Sequence, residues 1–574
     1  MQNLRNRRDE EDLIGDIEWE ELTDHTVNTH DFNGELTLEN VKNKWKEIND
    51  TTPPPDRRTI HLEDLTEEQQ KSVIIWLKIM GLWTDEHGVF LPAVIREDCE
   101  APNAMIIGGA AGTGKSYVID CLVTEALERS QRKQPAPEGK QYSVLVVAPT
   151  GRAAMGSKGY TFQNREGLSV PVSDISDFEQ GKLGENALLR LQTRMTLCVG
   201  VIVDESSMVH QTSFFWVHYR LTESLLNESP FGGIPIAWCG DGAQLPPVGG
   251  SSTYCTKTAK GKSIVGLAKK GYDLWRQITN VIILKETRRQ HGPFSAMLLR
   301  LRDGNSTQED WEYLNLNCAA QHKTQADIDS FKSPDTTWLF NTNADNAKHN
   351  TQMLKQLRTP RVRIDAEHDS TASISKSIEF ARRLSPSLCL SVGAKIMLLW
   401  NLNSNIGLVN GATGTVKDWL YKAGEKAPVL PQTLVVEMNE YSGPPFFSGE
   451  GQEKWVPFLP QKYMWPAYGD GEDHFRTQFP ISLAWGLTVW KAQGMTISTK
   501  LGYELGNTEP EAGLTYVALS RMTEIQNLYI GRGCTLDRLT KTIQKNSKLQ
   551  VRLAEDRRLL ELANQTQTYF FPIQ

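Results

Sequence analysis

The chain has 574 residues, of which 39% are apolar and 23% are charged, and its formal net charge at pH 7 is −7. This length predicts several domains, because single hydrophobic cores stop growing at roughly 250–300 residues. No apolar run approaches the ~18 residues that a membrane helix needs. No apolar segment follows the basic residues of the N-terminus, so we expect neither a membrane span nor a secretory signal.

The negative charge is concentrated at the N-terminus, where residues 1–24 hold nine acidic and three basic side chains. The rest of the chain is therefore close to neutral and can still carry a local basic channel. Residues 1–60 are predicted to be an acidic, flexible arm that ends near the breaker cluster Thr51–Asp56. Such an arm is a candidate binding segment for a protein partner.

A helix is predicted to begin at LTEEQQKSVIIWLKIMG, with Thr66 as N-cap and Gln69 as its capping-box partner. Apolar strands then alternate with helices, which predicts an α/β fold with a parallel sheet covered on both faces. We assign residues 61–280 to this first block. Its polar stretch 157–197 is predicted to be an insertion.

A second α/β block is predicted over residues 281–545, beginning near VIILKETRRQ. Between about 415 and 478 the sequence changes to short aromatic segments with Gly and Pro turns. This texture predicts a small inserted β-barrel, whose aromatic residues are expected to form its core. Residues 546–574 are predicted to be a C-terminal helix and tail.

The eight cysteines are scattered and form no C-x-x-C pair. Their spacing argues against a zinc site or a disulfide framework and favours a reducing, intracellular compartment. In a eukaryote this would be the nucleus or mitochondrion. The cysteines are Cys99, Cys121, Cys198, Cys239, Cys255, Cys318, Cys389 and Cys534.

The segment GAAGTGKS, residues 109–116, matches G-x-x-x-x-G-K-[ST] between a predicted strand and a predicted helix. Glycines let backbone N–H groups surround phosphate oxygens, and the helix adds its positive N-terminal end. Lys115 is expected to reach the β- and γ-phosphates of ATP, and Ser116 to ligate Mg²⁺. The nucleotide-binding residues assigned to this loop are Gly109, Gly112, Thr113, Gly114, Lys115 and Ser116.

Two later segments supply the partners that hydrolysis requires. VGVIVDESS ends a predicted strand in Asp204 and Glu205, so Asp204 can hold the Mg²⁺ water shell and Glu205 can take a proton from the attacking water. GDGAQLPPV follows another predicted strand, and its Gln244 can contact both the γ-phosphate and that water.

These motifs continue with APTGRAA (148–154), LKETRRQ (284–290), LSVGAKIMLLWNLNSNIGLVNGATGTV (390–416), LTVWKAQGMT (487–496) and YVALSR (516–521). Their order resembles that of superfamily 1 DNA helicases of the petite-integration-frequency (PIF) and RecD family, over about residues 60–545. The resemblance implies two RecA-like P-loop domains and an SH3-like inserted barrel. It also implies a 5′→3′ DNA helicase acting in replication, repair or recombination.

The resemblance adds roles to particular residues. Gln69 would recognise adenine, and Arg289 and Arg521 would reach the γ-phosphate from the second domain, as an arginine finger does. Strand binding is expected to use polar loop residues that grip phosphates without reading bases. These are Thr150, Arg152, Thr161, Asn410, Thr488, Trp490, Lys491 and Gln493.

Two positions depart from the family pattern, both in the expected nucleic-acid path. Gln163 lies in the segment after Thr161, where the family has His-Ser, and Trp490 replaces a His. We predict that Trp490 stacks on a base, the alternative being that its indole packs as core. The insertion 157–197 is expected to supply the wedge that splits the duplex.

The resulting hypothesis is an ATP- and Mg²⁺-dependent monomeric enzyme that translocates on single-stranded DNA and unwinds forked duplexes. A superfamily 1 RNA helicase is one alternative. A DNA-binding protein that ATP only switches in shape is another, and the chain can also be a helicase segment of a larger protein.

Overall fold

The computed structural model of the chain describes residues 36–52, 57–164, 167–171, 178–247, 250–258, 261–378, 380–465, 474–531 and 533–572. No helix within these ranges is long and apolar enough to cross a membrane. By contact density the chain divides into two compact units. The larger unit comprises Asp56–Ile328, Ala492–Ser498 and Leu505–Gln574, and the smaller unit comprises Met1–Pro55, Asp329–Lys491 and Thr499–Glu504.

The helices and strands are numbered here in chain order. The α-helices are α1 Leu38–Thr51, α2 Glu67–Ile79, α3 Lys115–Lys133, α4 Gly151–Gly156, α5 Glu185–Met195, α6 Gln211–Leu225, α7 Gly266–Gln277, α8 Gly292–Arg302, α9 Gln308–Cys318, α10 Gln325–Phe331, α11 Asn343–Gln356, α12 Thr371–Ile374, α13 Leu514–Leu519, α14 Leu536–Leu539, α15 Lys541–Gln544 and α16 Ser547–Phe570. The strands are β1 Ala104–Gly109, β2 Ser143–Ala148, β3 Tyr160–Thr161, β4 Cys198–Val203, β5 Ile236–Gly240, β6 Asn280–Leu284, β7 Thr337–Phe340, β8 Arg361–Asp365, β9 Glu367–His368, β10 Ser387–Ser391, β11 Lys395–Leu398, β12 Thr413–Leu420, β13 Thr433–Met438, β14 Trp455–Phe458, β15 Gln461–Trp465, β16 His474–Gln478, β17 Ile481–Leu483, β18 Gly486–Thr488, β19 Leu501–Glu504 and β20 Leu528–Tyr529.

The larger unit is built on a six-stranded parallel sheet in the order β3-β2-β4-β5-β1-β6. Both faces of the sheet are covered, because alternate residues of β1 pack into different apolar clusters. Ile106 belongs to the cluster that contains Trp238, whereas Met105 and Ile107 belong to the cluster that contains Trp76. This two-sided burial explains why the strands are continuous apolar runs, as predicted for a doubly covered parallel sheet.

The predicted start of helix α2 is confirmed. Thr66 is the N-cap, its Oγ1 accepts from the Gln69 backbone N–H, and Gln69 Oε1 accepts from the Thr66 N–H. The buried face of the helix places Trp76 against the sheet, where Trp76 is fully covered. Helix α2 therefore fixes Gln69 beside the end of β1.

The boundary predicted at residue 281 is wrong. Strand β6 pairs in parallel with β1, from Met105 opposite Asn280 to Gly109 opposite Leu284, so it belongs to the first sheet. The apolar run of β6 carries no signal for which sheet it joins, because its partner is about 175 residues away in sequence. Arg289, assigned to the second domain, therefore follows a strand of the same sheet as the P-loop.

The stretch 157–197 is part of the larger unit's core where it is described. Strand β3 extends the sheet beside β2, Phe162 is buried, and helix α5 packs with Leu191 and Met195 in the core. The wedge role of this stretch is untested by these contacts and stays a prediction. Residues 165–166 and 172–177 lie outside the described residues.

The smaller unit combines a short parallel sheet with antiparallel strands. Strand β7 lies between β18 and β19, parallel to both. Strands β14-β13-β12-β11-β17 form a five-stranded antiparallel sheet, β15-β16-β9 a three-stranded one, and β8 pairs with β10. The bounds predicted for the barrel, 415–478, are too short at both ends, because β11 and β17 also belong to the antiparallel sheet and pair at Ile396 and Leu483. The SH3-like assignment stays a prediction.

Residues 38–51 correct the prediction of a flexible arm through residue 60. They form helix α1 in the smaller unit, where Val41 and Ile48 are buried. Trp45 donates its indole N–H to the Pro457 carbonyl over 2.7 Å, and its ring centroid lies 5.2 Å from that of Phe446. The sequence did not indicate this helix because its apolar residues are few. Residues 1–35 lie outside the described residues.

Helix α16 lies against β6, the edge strand of the larger unit's sheet. Its bounds, Ser547–Phe570, agree with the predicted C-terminal helix. Thr566 Oγ1 accepts from the Val281 N–H at 3.0 Å, and Glu555 accepts from the Trp275 indole at 2.7 Å. Thr566 and Glu555 are both buried. The C-terminal segment is thus a structural component of the larger unit.

We predict that helix α1 stabilises the smaller unit. Ile48→Ala should lower the free energy of unfolding by about 2–4 kcal/mol, because it empties a buried site. Lys46→Ala on the exposed side of the same helix is the control and should change stability little. Thermal and urea unfolding of both variants measure the difference, and equal stability of the two would show that α1 is dispensable.

Candidate nucleotide site and strand-binding residues

The loop after β1 has the backbone geometry that a phosphate-binding loop requires. Gly112 and Gly114 adopt left-handed φ values of 84° and 82°. A Cβ at Gly112 would lie 2.6 Å from Arg289 Cβ, and one at Gly114 would lie 2.5 Å from Gln69 Nε2. Both conformation and space therefore demand glycine at these two positions.

The predicted nucleotide residues of the loop and of α2 lie together. Gln69 Nε2 donates to the Thr113 carbonyl at 3.1 Å, and Lys115 Nζ donates to the carbonyls of Gly109 and Ala110 at 2.8 and 3.0 Å. Lys115 and Ser116 open helix α3, and Ser116 is exposed. The N-terminus of α3 and Lys115 are thus positioned to bind an anion. The Ser116 side chain faces solvent.

Asp204 and Glu205 follow the end of β4, as the sequence predicts. Asp204 is buried, and its Oδ1 accepts from the Glu205 N–H at 2.8 Å. Burial and the neighbouring Glu205 raise the pKa of Asp204. Glu205 adopts a left-handed φ of 50°, and its Oε2 is buried without a hydrogen-bond partner among the described residues. A strained, unpartnered carboxylate of this kind is typical of a functional position.

Gln244 follows β5 and lies in the same unit. It is buried, and its Oε1 has no hydrogen-bond partner among the described residues. An unpartnered buried amide oxygen can accept a hydrogen bond from a water or a ligand, which is what the proposed contact with the attacking water needs.

A chain of hydrogen bonds that the sequence did not predict joins three of the motifs. Tyr516 on α13 accepts from the Ala111 N–H of the P-loop at 2.9 Å and donates to Asp241 Oδ2 at 2.8 Å. Asp241 Oδ1 accepts from the Ala243 N–H and from the Arg302 guanidinium, at 3.0 and 3.1 Å. The tyrosine hydroxyl thus connects the phosphate-binding loop to the segment that carries Gln244.

The charges of this chain are balanced inside the unit. Asp241 is fully buried; burial alone would raise its pKa, but Arg302 and Lys115 hold it below the usual range. Burial and Asp241 raise the pKa of Tyr516, so its hydroxyl stays protonated and donates. Arg302 also lies 3.6 Å from Asp556 of α16. Two features of the sequence could have indicated the contact between Tyr516 and Asp241. Tyr516 lies inside an apolar helix, and Asp241 directly follows a strand.

Arg289 and Arg521 lie together in the larger unit. Arg289 donates to the Ser520 carbonyl at 3.1 Å, and Arg521 donates to the Val517 carbonyl at 2.9 Å and to Ser520 Oγ at 2.8 Å. Neither forms an ion pair with any residue that the structure describes. Burial, followed by the like charge of Arg521, lowers the pKa of Arg289 to about 10, and burial lowers that of Arg521.

Three of the predicted strand-binding residues lie in the larger unit, two after the end of β2 and one on β3. Thr150 Oγ1 accepts from the Ala153 N–H and caps α4, so its hydroxyl has a structural role. Arg152 is half-buried on α4, and Thr161 is buried on β3. Gln493, also in this unit, is buried and both polar atoms of its amide lack partners among the described residues.

The other four predicted strand-binding residues lie in the smaller unit. Thr488 is buried at the end of β18, and Lys491 follows it. The loop that carries Trp490 and Lys491 follows strand β18, Gly486–Thr488. The preceding strand, Ile481–Leu483, belongs to the antiparallel sheet. Trp490 is half-buried, and both the stacking role and the alternative of core packing stay predictions. Asn410 is half-buried, and its N–H donates to Asn401 Oδ1.

The aromatic residues of the antiparallel sheets are largely core, as predicted. Phe446, Phe447, Trp455, Phe458 and Trp465 are buried, whereas Tyr463 is half-buried.

The parallel sheet, the P-loop and the acidic pair at the end of β4 define the class of the protein as a P-loop nucleoside triphosphatase. Comparison with known proteins shows which family the chain resembles. A profile described as PIF1-like helicase matches residues 82–312, and one described as DNA helicase Pif1, 2B domain, matches residues 375–418. Over these residues the chain is similar to PIF1-type helicases of superfamily 1.

Curated relatives carry the name ATP-dependent DNA helicase PIF1. The protein from Danio rerio is 29% identical over 81% of this chain and 65% of its own length, and that from Homo sapiens is 27% identical over 78% and 60%. The chain therefore spans about three fifths of the length of these relatives.

Solved structures share the fold. Pif1 helicase from Candida albicans superposes with a TM-score of 0.57 at 22% identity, covering 87% of this chain and 99% of its own. Pif1 helicase from Bacteroides, in complex with ADP-AlF3 and ssDNA, gives a TM-score of 0.57 at 22% identity, over 86% and 97%. The expected α/β class with RecA-like domains is confirmed.

We predict that Tyr516 positions the P-loop. Tyr516→Phe should weaken ATP affinity by roughly tenfold, because a buried N–H and a buried carboxylate lose their partner, a change worth about 1–3 kcal/mol. Tyr503→Phe in the smaller unit, whose hydroxyl bonds Asn341 at 3.0 Å, is the matched control. Nucleotide titration and KM measurements compare them. Unchanged ATP affinity in Tyr516→Phe would show that the loop holds its conformation without this contact.

We predict that Arg521 acts on the transition state. Arg521→Ala should lower kcat on the order of 10² or more with a smaller effect on ATP affinity, since an arginine finger stabilises charge that develops only during reaction. The control is Arg288→Ala, which removes an exposed arginine next to Arg289. A similar loss in kcat and affinity would instead indicate a structural role for Arg521.

Proposed function

We propose that the protein is an ATP-dependent DNA helicase that moves along single-stranded DNA and unwinds duplex DNA, in replication, repair or recombination. The observation that carries this proposal is the pair of the half-buried Arg289 and the buried Arg521, neither of which forms an ion pair with a described residue, in the unit that holds the P-loop. Buried cations without an anion are costly, so a polyanionic ligand accounts for them best. The relatives named as ATP-dependent DNA helicases support the same activity.

ATP would occupy the loop at residues 109–116. The glycine backbone and the N-terminus of α3 would bind the phosphates, with Lys115 on the β- and γ-phosphates. Gln69, whose amide already bonds Thr113, would lie beside adenine. These residues bind and orient the nucleotide before any chemistry occurs.

The donors near the P-loop suit a divalent ion that prefers oxygen. Ser116 offers an exposed hydroxyl at the start of α3, and Asp204 offers a buried carboxylate at the end of β4, so these two would hold Mg²⁺. Bound there, Mg²⁺ would neutralise charge on the phosphate oxygens. Both side chains would supply oxygen ligands, which this ion prefers.

Hydrolysis would then depend on three kinds of side chain. Glu205, through its unpartnered Oε2, would accept a proton from the attacking water, and Gln244 would orient that water. Arg289 and Arg521 would stabilise the charge that develops on the γ-phosphoryl oxygens. Each of these groups is buried or half-buried and lies in the larger unit, so hydrolysis would occur away from bulk solvent.

The predicted polar loop residues would hold the strand. Arg152, Thr161 and Gln493 belong to the larger unit, and Asn410, Thr488, Trp490 and Lys491 to the smaller. Short polar groups suit phosphate contacts without base readout, and the half-exposed Trp490 offers a face for stacking. Thr150, which caps α4, would contribute mainly by shaping the loop.

The experiment that tests the proposal is unwinding of forked duplexes that carry only a 5′ or only a 3′ single-stranded tail. We expect ATP-dependent unwinding with the 5′ tail. Glu205→Gln should bind ATP and single-stranded DNA yet hydrolyse and unwind with a loss on the order of 10² or more, because only proton transfer is removed. Near-normal strand-stimulated hydrolysis in this variant would exclude Glu205 as the base.

The same assay separates the alternatives. A matched RNA duplex tests the RNA helicase hypothesis, and release of phosphate without strand separation would favour a protein that ATP only switches in shape. Unwinding of RNA in preference to DNA would overturn the choice of substrate while leaving the ATP site assigned.

A further inference from the structure

A turn in the smaller unit places two consecutive arginines in a strained backbone conformation. Arg382 and Arg383 have φ values of 52° and 68°, in the left-handed region that non-glycine residues rarely adopt. Both side chains are exposed. Strain of this kind persists only where the surroundings impose it, and it concentrates at functional positions.

The surroundings that impose the strain are buried beneath the turn. Arg476 on β16 is fully buried and donates to the carbonyls of Ser373, Lys376 and Leu384 at 2.9, 3.0 and 2.8 Å. These carbonyls precede and follow the turn. Arg476 therefore holds both ends of the segment in place through its backbone and leaves the exposed side chains free for other contacts.

Aromatic rings lie next to the exposed cations. The Trp400 indole donates to the Arg382 carbonyl at 2.7 Å, and the Arg382 guanidinium lies 5.2 Å from the centre of the Trp400 ring. Lys376 Nζ lies 5.3 Å from the ring centre of Phe380, which is 43% exposed. Cations paired with exposed rings are the composition by which proteins bind single strands. We call Lys376, Phe380, Arg382, Arg383 and Trp400 the basic-aromatic turn.

The turn is positive in a chain whose net charge is negative. Residues 376–383 contain three basic residues and one acidic residue. None of the three cations forms an ion pair with a residue that the structure describes. Their charge is therefore available to a polyanion, and a phosphate backbone supplies that charge at regular spacing.

The turn adjoins a residue already predicted to bind the strand. Trp400 is followed by Asn401, whose Oδ1 accepts from the Asn410 N–H at 2.8 Å. All of these residues lie in the smaller unit. A strand held at Asn410 would therefore have the basic-aromatic turn as its neighbour.

We propose that the basic-aromatic turn binds single-stranded DNA and lengthens the strand path beyond Asn410. Arg382 and Arg383 contact phosphates, and Phe380 and Trp400 offer faces for bases. This inference rests on the proposed function, because it assumes that a strand passes Asn410. It adds a binding surface that hydrolysis does not need.

The test measures binding of oligothymidylates of increasing length at several salt concentrations, by fluorescence anisotropy without nucleotide. For long oligomers, Arg382→Gln with Arg383→Gln should reduce the slope of log K against log salt by about 1.4, since each single-strand phosphate contact contributes about 0.7. Phe380→Ala should weaken binding by about fivefold or more through lost stacking. The shortest oligomers that bind should show neither loss, because they fill only the path at Asn410.

The control is Lys355→Gln with Arg358→Gln, two exposed cations near the end of α11 in the same unit, neither of which lies over an aromatic ring of the described residues. Melting temperature and ATPase activity without DNA should equal wild type in all variants. Any one of three results would overturn this inference while leaving the proposed function intact. These are a slope unchanged from wild type, an equal change in the control variant, and a loss of binding seen only with duplex DNA. Wild-type protein without affinity for single strands would instead overturn the proposed function, and this inference with it.

Discussion

The structure of the nucleotide site depends on one hydroxyl group, that of Tyr516. It accepts the Ala111 N–H of the P-loop and donates to Asp241, which is fully buried after β5. A carboxylate in that position is tolerated only because Tyr516, Arg302 and a backbone N–H satisfy it. The loop that would hold phosphate, the segment that would place the attacking water and the helix that leads to Arg521 are thereby joined by direct hydrogen bonds. A change at the nucleotide can be passed on through polar contacts rather than through apolar packing.

The pair of arginines beside this network, neither in an ion pair with a described residue, is the second feature that shapes the site. Arg289 and Arg521 both contact Ser520 and have only carbonyl and hydroxyl partners among the described residues. Such an arrangement is destabilising on its own, since neutral dipoles compensate a buried charge only in part. A triphosphate would relieve it. At the basic-aromatic turn the charges are exposed instead, and the buried Arg476 holds the backbone on both sides of the turn.

The nucleotide-site residues could be predicted from the sequence because their motifs are local. Eight consecutive residues specify the P-loop, and single strand ends specify Asp204, Glu205 and Gln244. Tyr516, Asp241 and Arg302 were not predicted, because their roles come from contacts between segments separated by more than 60 residues. Helix α1 was missed for a related reason: its apolar residues are few, and they acquire meaning only against Phe446 and Pro457.

The sequence alone determined the class of fold, the resemblance to PIF1-type helicases and the chemistry of the P-loop, since backbone conformation and motif spacing depend on consecutive residues. The tertiary structure decided which sheet β6 joins, where the antiparallel strands begin and end, and which polar groups are buried together. An apolar strand has the same periodicity in either sheet, so only its pairing with β1 placed Arg289 in the larger unit. Partner choice between distant strands and the satisfaction of buried charges are properties of the folded chain, because both depend on atoms that approach one another only after folding.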